Sequence, residues 1–384
     1  MSGTDNFEAV VKARQPEAVA EFHEDTTLIR RVQHALHAAP SLVPLIVLLL
    51  SIAIFSVLIG TRFFAASQQT LILQQVQVVG ILAVAQTLVI LTAGIDLSVG
   101  AMMVLTSIVM GQFTFRYGVP APAAVMIGLA AGGLMGFING LLVAYVRLPP
   151  FIVTLGTLQI YFATNYLFSA NETIRSQDIA AEAPILQFFG VKVNELFVRW
   201  YEGTQGIVWE GGRRPPATDI AWLDFLWSVK LPVGVIFMLL LTIVVAYVLR
   251  QTAWGRHVYA VGDDPEAAQL AGVNTRRTLI SVYTVAGVIC GFAGWASIGR
   301  NGSVSPTIGT DANLEAITAA VIGGISLFGG RGSVMGALFG ALIVGVFSLG
   351  LRMMGANAQW TYLLIGLLII VAVAIDQWIR KVSA

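Results

Sequence analysis

The feature that most constrains the fold of this chain is a succession of long apolar stretches along its 384 residues. A helix needs about 20 consecutive apolar residues to cross the core of a bilayer. Charged residues make up only 11% of the chain, against about 25% in soluble domains. The sequence therefore predicts an all-α polytopic membrane protein. Ten predicted segments cover residues 41–60, 71–92, 97–115, 121–144, 150–168, 231–250, 278–298, 312–328, 332–353 and 360–379.

The third and eighth of these segments are weaker and rich in glycine, and we expect each to be broken, short or re-entrant. The basic residues predict the orientation, because cytosolic loops carry an excess of Lys and Arg. With the N-terminus in the cytosol, 12 of the 22 basic residues lie on the cytosolic side and 4 lie in short outer loops. The other six lie in one long outer loop. We therefore expect both termini to be cytosolic.

These segments divide the chain into regions of different composition. Residues 1–40 lack an early apolar core and are predicted to be a cytosolic tail, followed by the membrane domain over 41–384. The outer loop at 169–230 is rich in tryptophan and predicts a folded cap at the headgroup level, with a docking surface for an outside partner as the alternative. Residues 251–277 form the main cytosolic loop.

A carboxylate stands between the second and third segments, in the run from Leu91 to Gly100. A charge at membrane depth is costly and is rarely incidental, and Gly94 and Gly100 allow the helix to break on either side of Asp96. The residue either lines a transport pathway or caps the helix that follows. We expect the polar residues of this region and of neighbouring segments to face the interior of the bundle. The predicted pathway or half-helix residues are Gln86, Thr87, Gly94, Asp96, Ser98, Gly100, Asn139 and Asn165.

Two glycine-rich segments indicate an internal repeat. Residues 94–103 resemble residues 323–336 in style, and each stretch lies between apolar runs. Segments 2–5 would start outside and segments 7–10 inside, which gives two four-segment units of opposite topology, as in many transporters. Glycine-mediated packing of helices is the alternative explanation of the similarity.

The cytosolic loop contains a short helix with clear boundaries. Asp263 or Asp264 can cap it, Pro265 suits its first turn, and Gly272 can end it. Ala267, Ala268 and Ala271 give it a small-residue face that another surface could approach closely. An ordinary interfacial loop helix is the alternative.

Four ordered motifs resemble the permease family of monosaccharide ABC importers, which includes the ribose, xylose, arabinose, galactose and fructose permeases. They lie at residues 92–100, 149–157, 264–272 and 323–332, and the resemblance covers about residues 41–380. Within the family the chain is most similar to the fructose type. The resemblance implies two permease copies, a separate ATPase subunit and a periplasmic sugar-binding protein. It also implies an ATPase-coupling helix with Asp264, Pro265, Glu266, Ala267, Ala268 and Gly272.

Several functions find no support in the sequence. No phosphate-binding loop of the Gly-x-x-x-x-Gly-Lys-[Ser/Thr] type occurs, so ATP would be bound by the partner chain and this chain needs no cofactor. None of the four histidines lies in an apolar segment, and we predict neither catalytic residues nor a metal site. Two alternative functions remain: an ion-coupled secondary sugar transporter, and an ABC permease for amino acids or nucleosides.

Overall fold

The computed structural model describes residues 41–196, 230–309 and 311–382, and these ranges are helical with two isolated β-bridges. The predicted tail at 1–40 and the second half of the predicted cap, at 197–229, lie outside them. The helices are α1 (Leu42–Ile59), α2 (Ala66–Leu91), α3 (Val99–Phe115), α4 (Ala121–Ala144), α5 (Pro150–Ser169), α6 (Ser176–Glu182), α7 (Val233–Gln251), α8 (Ala253–Asp263), α9 (Pro265–Leu270), α10 (Thr275–Asn301), α11 (Ala312–Ile322), α12 (Val334–Met353) and α13 (Ala358–Val382), with 3-10 helices at Gly60–Phe64 and Pro184–Gly190.

The described helices confirm a polytopic all-α membrane protein. Seven of them are long and apolar enough to cross a bilayer, namely α1, α2, α4, α5, α7, α10 and α12. The shorter helices α3 and α11 occupy the third and eighth predicted segments, and α13 occupies the tenth. The eighth segment was predicted to reach residue 328, but α11 ends at Ile322 because Gly323 and Gly324 begin a turn.

The eighth segment is broken. An α-helix rises about 1.5 Å per residue, so the 11 residues of α11 span only about 17 Å of a core that is about 30 Å thick. The irregular residues 302–309, which follow α10, lie along α3. Val304 exchanges two backbone hydrogen bonds with Ile174 near the end of α3, and Gly309 lies against Met103 near its beginning. Irregular backbone at membrane depth requires such burial within the protein.

Helix packing supports the internal repeat at the level of whole segments. The contacts among these eight helices are largely preserved when each helix is replaced by its counterpart in the other unit: α2 by α10, α3 by α11, α4 by α12 and α5 by α13. Helix α4 packs on α10 as α12 packs on α2, and α5 packs on α3 as α13 packs on α11. The similarity between the two glycine-rich segments, however, is not part of this repeat. Residues 92–98 connect α2 to α3, whereas residues 323–333 connect α11 to α12.

Helices α2 and α10 form the centre of the bundle, and glycine allows α10 to approach α4 closely. A side chain at Gly136 would overlap the carbonyl of Tyr283, and one at Gly132 would overlap that of Gly287. Such close backbone approach is typical of helix packing in membranes. The break between α2 and α3 therefore lies among buried helices, and Asp96 has no solvent exposure.

The described part of the outer loop packs on the helix bundle. The Trp295 indole donates a hydrogen bond of 3.0 Å to the carbonyl oxygen of Ile185, and its ring contacts Phe188 and Phe189. Gly190 and Gly299 approach so closely that a side chain on either residue would overlap the backbone of the other. This part of the loop is anchored to the end of α10.

Candidate functional site: two half-helix starts and a cytosolic contact

Asp96 organises the start of α3. Its Oδ1 accepts hydrogen bonds from the backbone N–H of Ser98, at 2.7 Å, and from the Ser98 hydroxyl, at 2.6 Å. Ser98 immediately precedes the first residue of α3, so the carboxylate satisfies a backbone donor beside the positive end of the helix. The Asn139 amide in turn donates to Ser98 Oγ at 2.9 Å. Asp96 thus stabilises the turn that leads into α3, and Asn139 on α4 holds the Ser98 hydroxyl in place.

The backbone around Asp96 is held by neighbouring side chains as well. With its amide nitrogen turned toward the Asp96 carbonyl, Gln86 donates to that oxygen at 2.9 Å and accepts from the Asp96 N–H at 3.3 Å. Thr154 Oγ1 on α5 donates to the carbonyl oxygen of Ile95 at 3.0 Å. Side chains from α2 and α5 thus replace the hydrogen bonds that the broken helix has lost, as membrane-buried backbone requires.

The starts of the two short helices meet. Asn313 is the second residue of α11 and Gly100 the second residue of α3, and the Gly100 N–H donates to Asn313 Oδ1. A side chain at Gly100 would place its Cβ 2.5 Å from that oxygen, so only glycine leaves room for the contact. This contact joins equivalent positions of the two repeat units, because each partner is the second residue of its half-helix.

Three buried polar atoms around this break have no hydrogen-bond partner in the described chain: Asp96 Oδ2, Asn139 Oδ1 and the Tyr283 hydroxyl oxygen. Tyr283 contributes to the same site, because a Cβ at Gly94 would lie 2.8 Å from its hydroxyl. Buried polar atoms are usually paired, and an unpaired group is costly. The break therefore retains hydrogen-bonding capacity that its static contacts do not use.

The remaining predicted pathway residues are buried but lie apart from these bonds. Thr87 bonds the carbonyl oxygen of Ala83 within its own helix, at 2.6 Å. Asn165 on α5 has no exposure, and neither of its amide atoms has a partner among the described residues. Both side chains are thus buried within the protein. In the described ranges, no group of three or more His, Cys, Asp or Glu residues could hold a metal ion.

The loop that is predicted to be cytosolic forms the expected short helix, α9. Asp264 caps it, because its Oδ1 accepts from the N–H groups of Glu266, at 2.9 Å, and Ala267, at 3.0 Å. Pro265 is its first residue, and Gly272 follows its end with a left-handed φ of 85°. Of the two candidate caps, Asp263 instead belongs to the preceding helix, α8.

One residue of the predicted small-residue face is corrected by the structure. Ala268 is 5% exposed and packs within the chain, so it is not open to a partner surface. Sequence spacing could not show this, since the burial comes from the contacts of α9 with α8 and α10. The exposed residues of α9 include Ala267 and Leu270, and Leu270 is 91% exposed.

The loop between α11 and α12 joins this cytosolic region to the break. The Gly330 N–H donates to the carbonyl oxygen of Leu91, the last residue of α2, at 3.0 Å. A side chain at Gly262 would overlap that same oxygen, and one at Gly330 would lie 2.8 Å from the Cα of Asp263. Asp263 directly precedes the cap of α9. Backbone contacts therefore run from the end of α8, next to the cap of α9, to the residue that ends α2, five residues before Asp96.

Tyr259 of α8 fixes the same loop by a side-chain bond. Its hydroxyl donates to the carbonyl oxygen of Gly332 at 3.0 Å. Burial raises the pKa of Tyr259 above its usual value, and the nearby Arg250 opposes this shift only in part.

Sequence reasoning missed three residues of this site: Asn313, Thr154 and Tyr283. Thr154 lies in the motif at 149–157, which was used only as a mark of resemblance. Asn313 is a polar residue at the start of a weak apolar segment, a signal that could have identified it. Tyr283 carried no comparable signal, because an aromatic residue in an apolar segment is usually a packing residue.

Comparisons with known proteins agree with this architecture. Residues 69–373 match the family described as branched-chain amino acid transport system / permease component. The chain belongs to this family of membrane transport permeases. The fructose import permease protein of Rhizobium meliloti is 59% identical over 378 residues, which cover 98% of this chain and 96% of that protein.

More distant relatives are also named as sugar permeases. The xylose transport system permease protein of Escherichia coli (strain K12) is 34% identical, over 84% of this chain and 87% of its own length. The ribose import permease protein of the same strain is 33% identical, over 87% and 92%. No solved structure matches the chain. The resemblance that the four motifs indicated is confirmed by these relatives.

Proposed function

We propose that this chain is the membrane-spanning permease subunit of an ABC importer for a monosaccharide, of the fructose or ribose kind. The relatives described above are named for fructose, xylose and ribose, and similarity to the fructose permease extends over nearly the whole chain. The family description names branched-chain amino acids instead. A full-length match at 59% identity is more specific than a family model, so we propose a sugar as the substrate.

The structural observation that supports this proposal is the backbone contact between the end of α8, which leads directly into α9, and Leu91 at the end of α2. An ATP-driven importer needs a surface that receives force in the cytosol and a membrane element that responds to it. Helix α9 offers the first, with Leu270 projecting from it, and the contact of Gly262 and Gly330 with Leu91 joins it to the second. An ion-coupled transporter would have no use for such a connection.

The proposal includes partners and placement. A separate ATPase subunit binds α9 and hydrolyses ATP, a periplasmic protein delivers the sugar, and a second copy of this chain completes the pathway. The inner membrane holds the complex with both chain termini in the cytosol. Nucleotide and binding protein each favour a different state of the permease, so that ATP turnover drives exchange between them.

The test of function is uptake of radiolabelled D-fructose, D-ribose and D-xylose by proteoliposomes containing this chain, its ATPase and its binding protein. We expect at least one of these sugars to be taken up only when ATP is present on the side of the membrane where the ATPase lies. A protein-free liposome preparation and an ATPase variant that cannot hydrolyse ATP serve as controls. Uptake driven by a proton gradient without ATP would contradict the proposal and favour a secondary transporter.

The test of coupling is Gly262→Ala, because the added methyl group would overlap the carbonyl oxygen of Leu91. We expect the complex to assemble, while the amount of sugar taken up per ATP hydrolysed falls at least tenfold. Gly132→Ala is the matched control, since its methyl group would overlap a carbonyl oxygen of α10 far from the cytosolic contact. An equal ratio of uptake to hydrolysis in wild type and Gly262→Ala would contradict a coupling role.

A further inference from the structure

Two carboxylates lie on the open face of α11, at the depth of the bilayer core. Asp311 directly precedes this helix and Glu315 lies one turn further along it, and both residues are exposed. Asn313, between them, is buried and bonds to Gly100 of α3. Helix α11 therefore packs one face on α3 and carries two acidic side chains on the opposite face.

Helix lengths fix the depth of Glu315. The stretch of α3 from Gly100 to its end at Phe115 is about 22 Å long, and Glu315 is only two residues from the partner of Gly100. Helix α11 leaves this point in the other direction, since its end leads into the loop that contacts Leu91. About 10 Å separate Glu315 from that end, at Ile322. The carboxylate thus lies within a hydrocarbon core that is about 30 Å thick.

Two arginines lie above these carboxylates, toward the predicted outer side. Arg300 in the last turn of α10 and Arg352 in the last turn of α12 are both exposed and line the same cavity. Arg300 Nη1 bonds to the carbonyl oxygen of Gln75 at 3.0 Å, which holds the guanidinium against α2. The charge of Arg300 interacts with that of Glu315, and the charge of Glu315 with that of Asp311. We refer to the two arginines and the two carboxylates as the charged strip.

The charged strip is unsuited to contact with lipid. A charged side chain among acyl chains is costly, and charged residues within a membrane almost always face the bundle interior or a water-filled space. In the described ranges a direct salt bridge joins Lys192 to Glu195, whereas Glu315 forms none. Because Glu315 lies on the surface of the bundle, its water-filled space lies outside the helices of this chain.

We propose that the charged strip lines the passage through which the sugar crosses the membrane, between this chain and its second copy. The carboxylates accept hydrogen bonds from sugar hydroxyls, and Arg300 donates to hydroxyl oxygens. The strip holds two positive and two negative side chains, unlike the single-sign rings that select ions in channels. A neutral solute rich in hydroxyl groups suits such a lining. The inference rests on the proposed function and assigns one face of the chain to it.

Helix α11 also connects this passage with the break at Asp96. Its buried Asn313 accepts from the start of α3, while its exposed face carries Glu315. A displacement of the break therefore moves the carboxylates in the passage. The contact from the coupling region to Leu91 thus reaches the sugar through α11.

The first experiment measures the access of water to this face. Cys290 is the only cysteine of the chain and is buried, so Cys290→Ser gives a background without a thiol. Glu315→Cys and Asp311→Cys are made in this background. The permease–ATPase complex in nanodiscs is treated with MTSET, a permanently cationic thiol reagent, without nucleotide and with ATP and vanadate. Ile243→Cys is the matched control, because Ile243 is 57% exposed in the middle of the apolar helix α7.

We expect Glu315→Cys and Asp311→Cys to react at least tenfold faster than Ile243→Cys in at least one nucleotide state, because the reagent reaches them only through water. Asp311→Cys tests the passage even where Glu315→Cys does not assemble. Rates no higher than that of Ile243→Cys in every state would overturn the proposal, since the face would then meet lipid or a dry protein contact.

The second experiment tests whether the passage carries the sugar. ATP-dependent uptake of D-fructose is compared at equal amounts of assembled complex. We expect uptake to fall at least fivefold in Glu315→Leu and to stay within threefold of the wild type in Glu315→Gln, because an amide still bonds to hydroxyl groups. Full uptake in Glu315→Leu would overturn the proposal. Equal loss in both variants would also overturn it, because the charge itself would then be required.

The two experiments separate this inference from the proposed function. A wild-type complex without ATP-dependent uptake would contradict the proposed function, whereas the labelling rates would still report whether the face of α11 meets water. Slow labelling in a complex that does take up fructose would overturn only the passage.

Discussion

The two short helices, α3 and α11, occupy matching places in the repeat but are fixed in different ways. The start of α3 receives acceptors from two sides, namely Asp96 from its own connection and Asn313 from the other unit. Neither helix is capped by the side chain of its own N-cap residue, Ser98 or Asp311, so the bonds from Asp96 and Asn313 are what distinguishes α3. Asn313, which could have served its own helix, bonds to α3 instead. The two units therefore pack their helices in the same way, but the polar side-chain contacts lie mainly at the start of α3.

The connections that lead into these helices differ in the same way. Helix α10 ends at Gly302, whose φ of 72° is left-handed, and α2 ends before Ala93, whose φ of 58° is also left-handed. Glycine adopts this conformation readily, whereas alanine is strained in it. The first unit thus holds a strained turn next to its charged residue, and the second unit has relieved the same strain with glycine.

The largest effect is expected where the two half-helices meet. Gly100→Ala would place a methyl group 2.5 Å from Asn313 Oδ1 and 3.0 Å from the Asn313 backbone nitrogen, so the helix starts must separate. We expect sugar uptake to fall at least tenfold at equal membrane abundance. In Gly133→Ala, the control, the methyl group would meet only the Val288 side chain, at 3.0 Å. Full uptake in Gly100→Ala would show that the contact of α3 with α11 is dispensable.

An intermediate effect is expected from the caps of α3. Asp96→Ala removes the acceptor of two Ser98 donors, and loss of such a cap costs about 1 kcal/mol, with more where a buried donor stays unpaired. Asp96→Asn retains an oxygen that accepts those bonds. We therefore expect uptake to fall severalfold in Asp96→Ala and less than threefold in Asp96→Asn, measured at matched abundance.

Asn313→Ala sharpens this second test, because it removes the other acceptor of α3. We expect a smaller loss of uptake than in Asp96→Ala, since Asn313 satisfies one donor and Asp96 satisfies two. Equal and near-complete loss in both Asp96 variants would contradict the role of Asp96 as a cap. It would point to a charge that moves during transport, as in an ion-coupled carrier.

The smallest effect is expected from making the first unit resemble the second. Ala93→Gly removes the strain of an alanine in the left-handed conformation. We expect the free energy of unfolding in detergent to rise by about 1 kcal/mol or less, with uptake unchanged. Ala170→Gly is the matched control, because Ala170 ends α5 with a φ of 52°. A fall in stability in Ala93→Gly alone would show that its methyl group makes a packing contact that exceeds the backbone strain.

The sequence by itself determined the order of the apolar helices, the weakness of the third and eighth segments, and the cap and end of α9. These features depend on local properties: the length of an apolar run, a carboxylate before a proline, a glycine after a helix. Burial of Asp96, Gln86 and Asn139 was also predictable, because polar side chains in a membrane protein seek the interior of the bundle.

Only the tertiary structure decided which distant residues meet. Gly100 and Asn313 are 213 positions apart, and the contact of Gly330 with Leu91 joins two connections whose sequence similarity suggested equivalence rather than contact. Ala268 is buried by neighbouring helices although its own helix is exposed. Such pairs depend on close backbone approach at glycine, which leaves no periodic or compositional trace in the sequence. They are fixed only when whole helices pack.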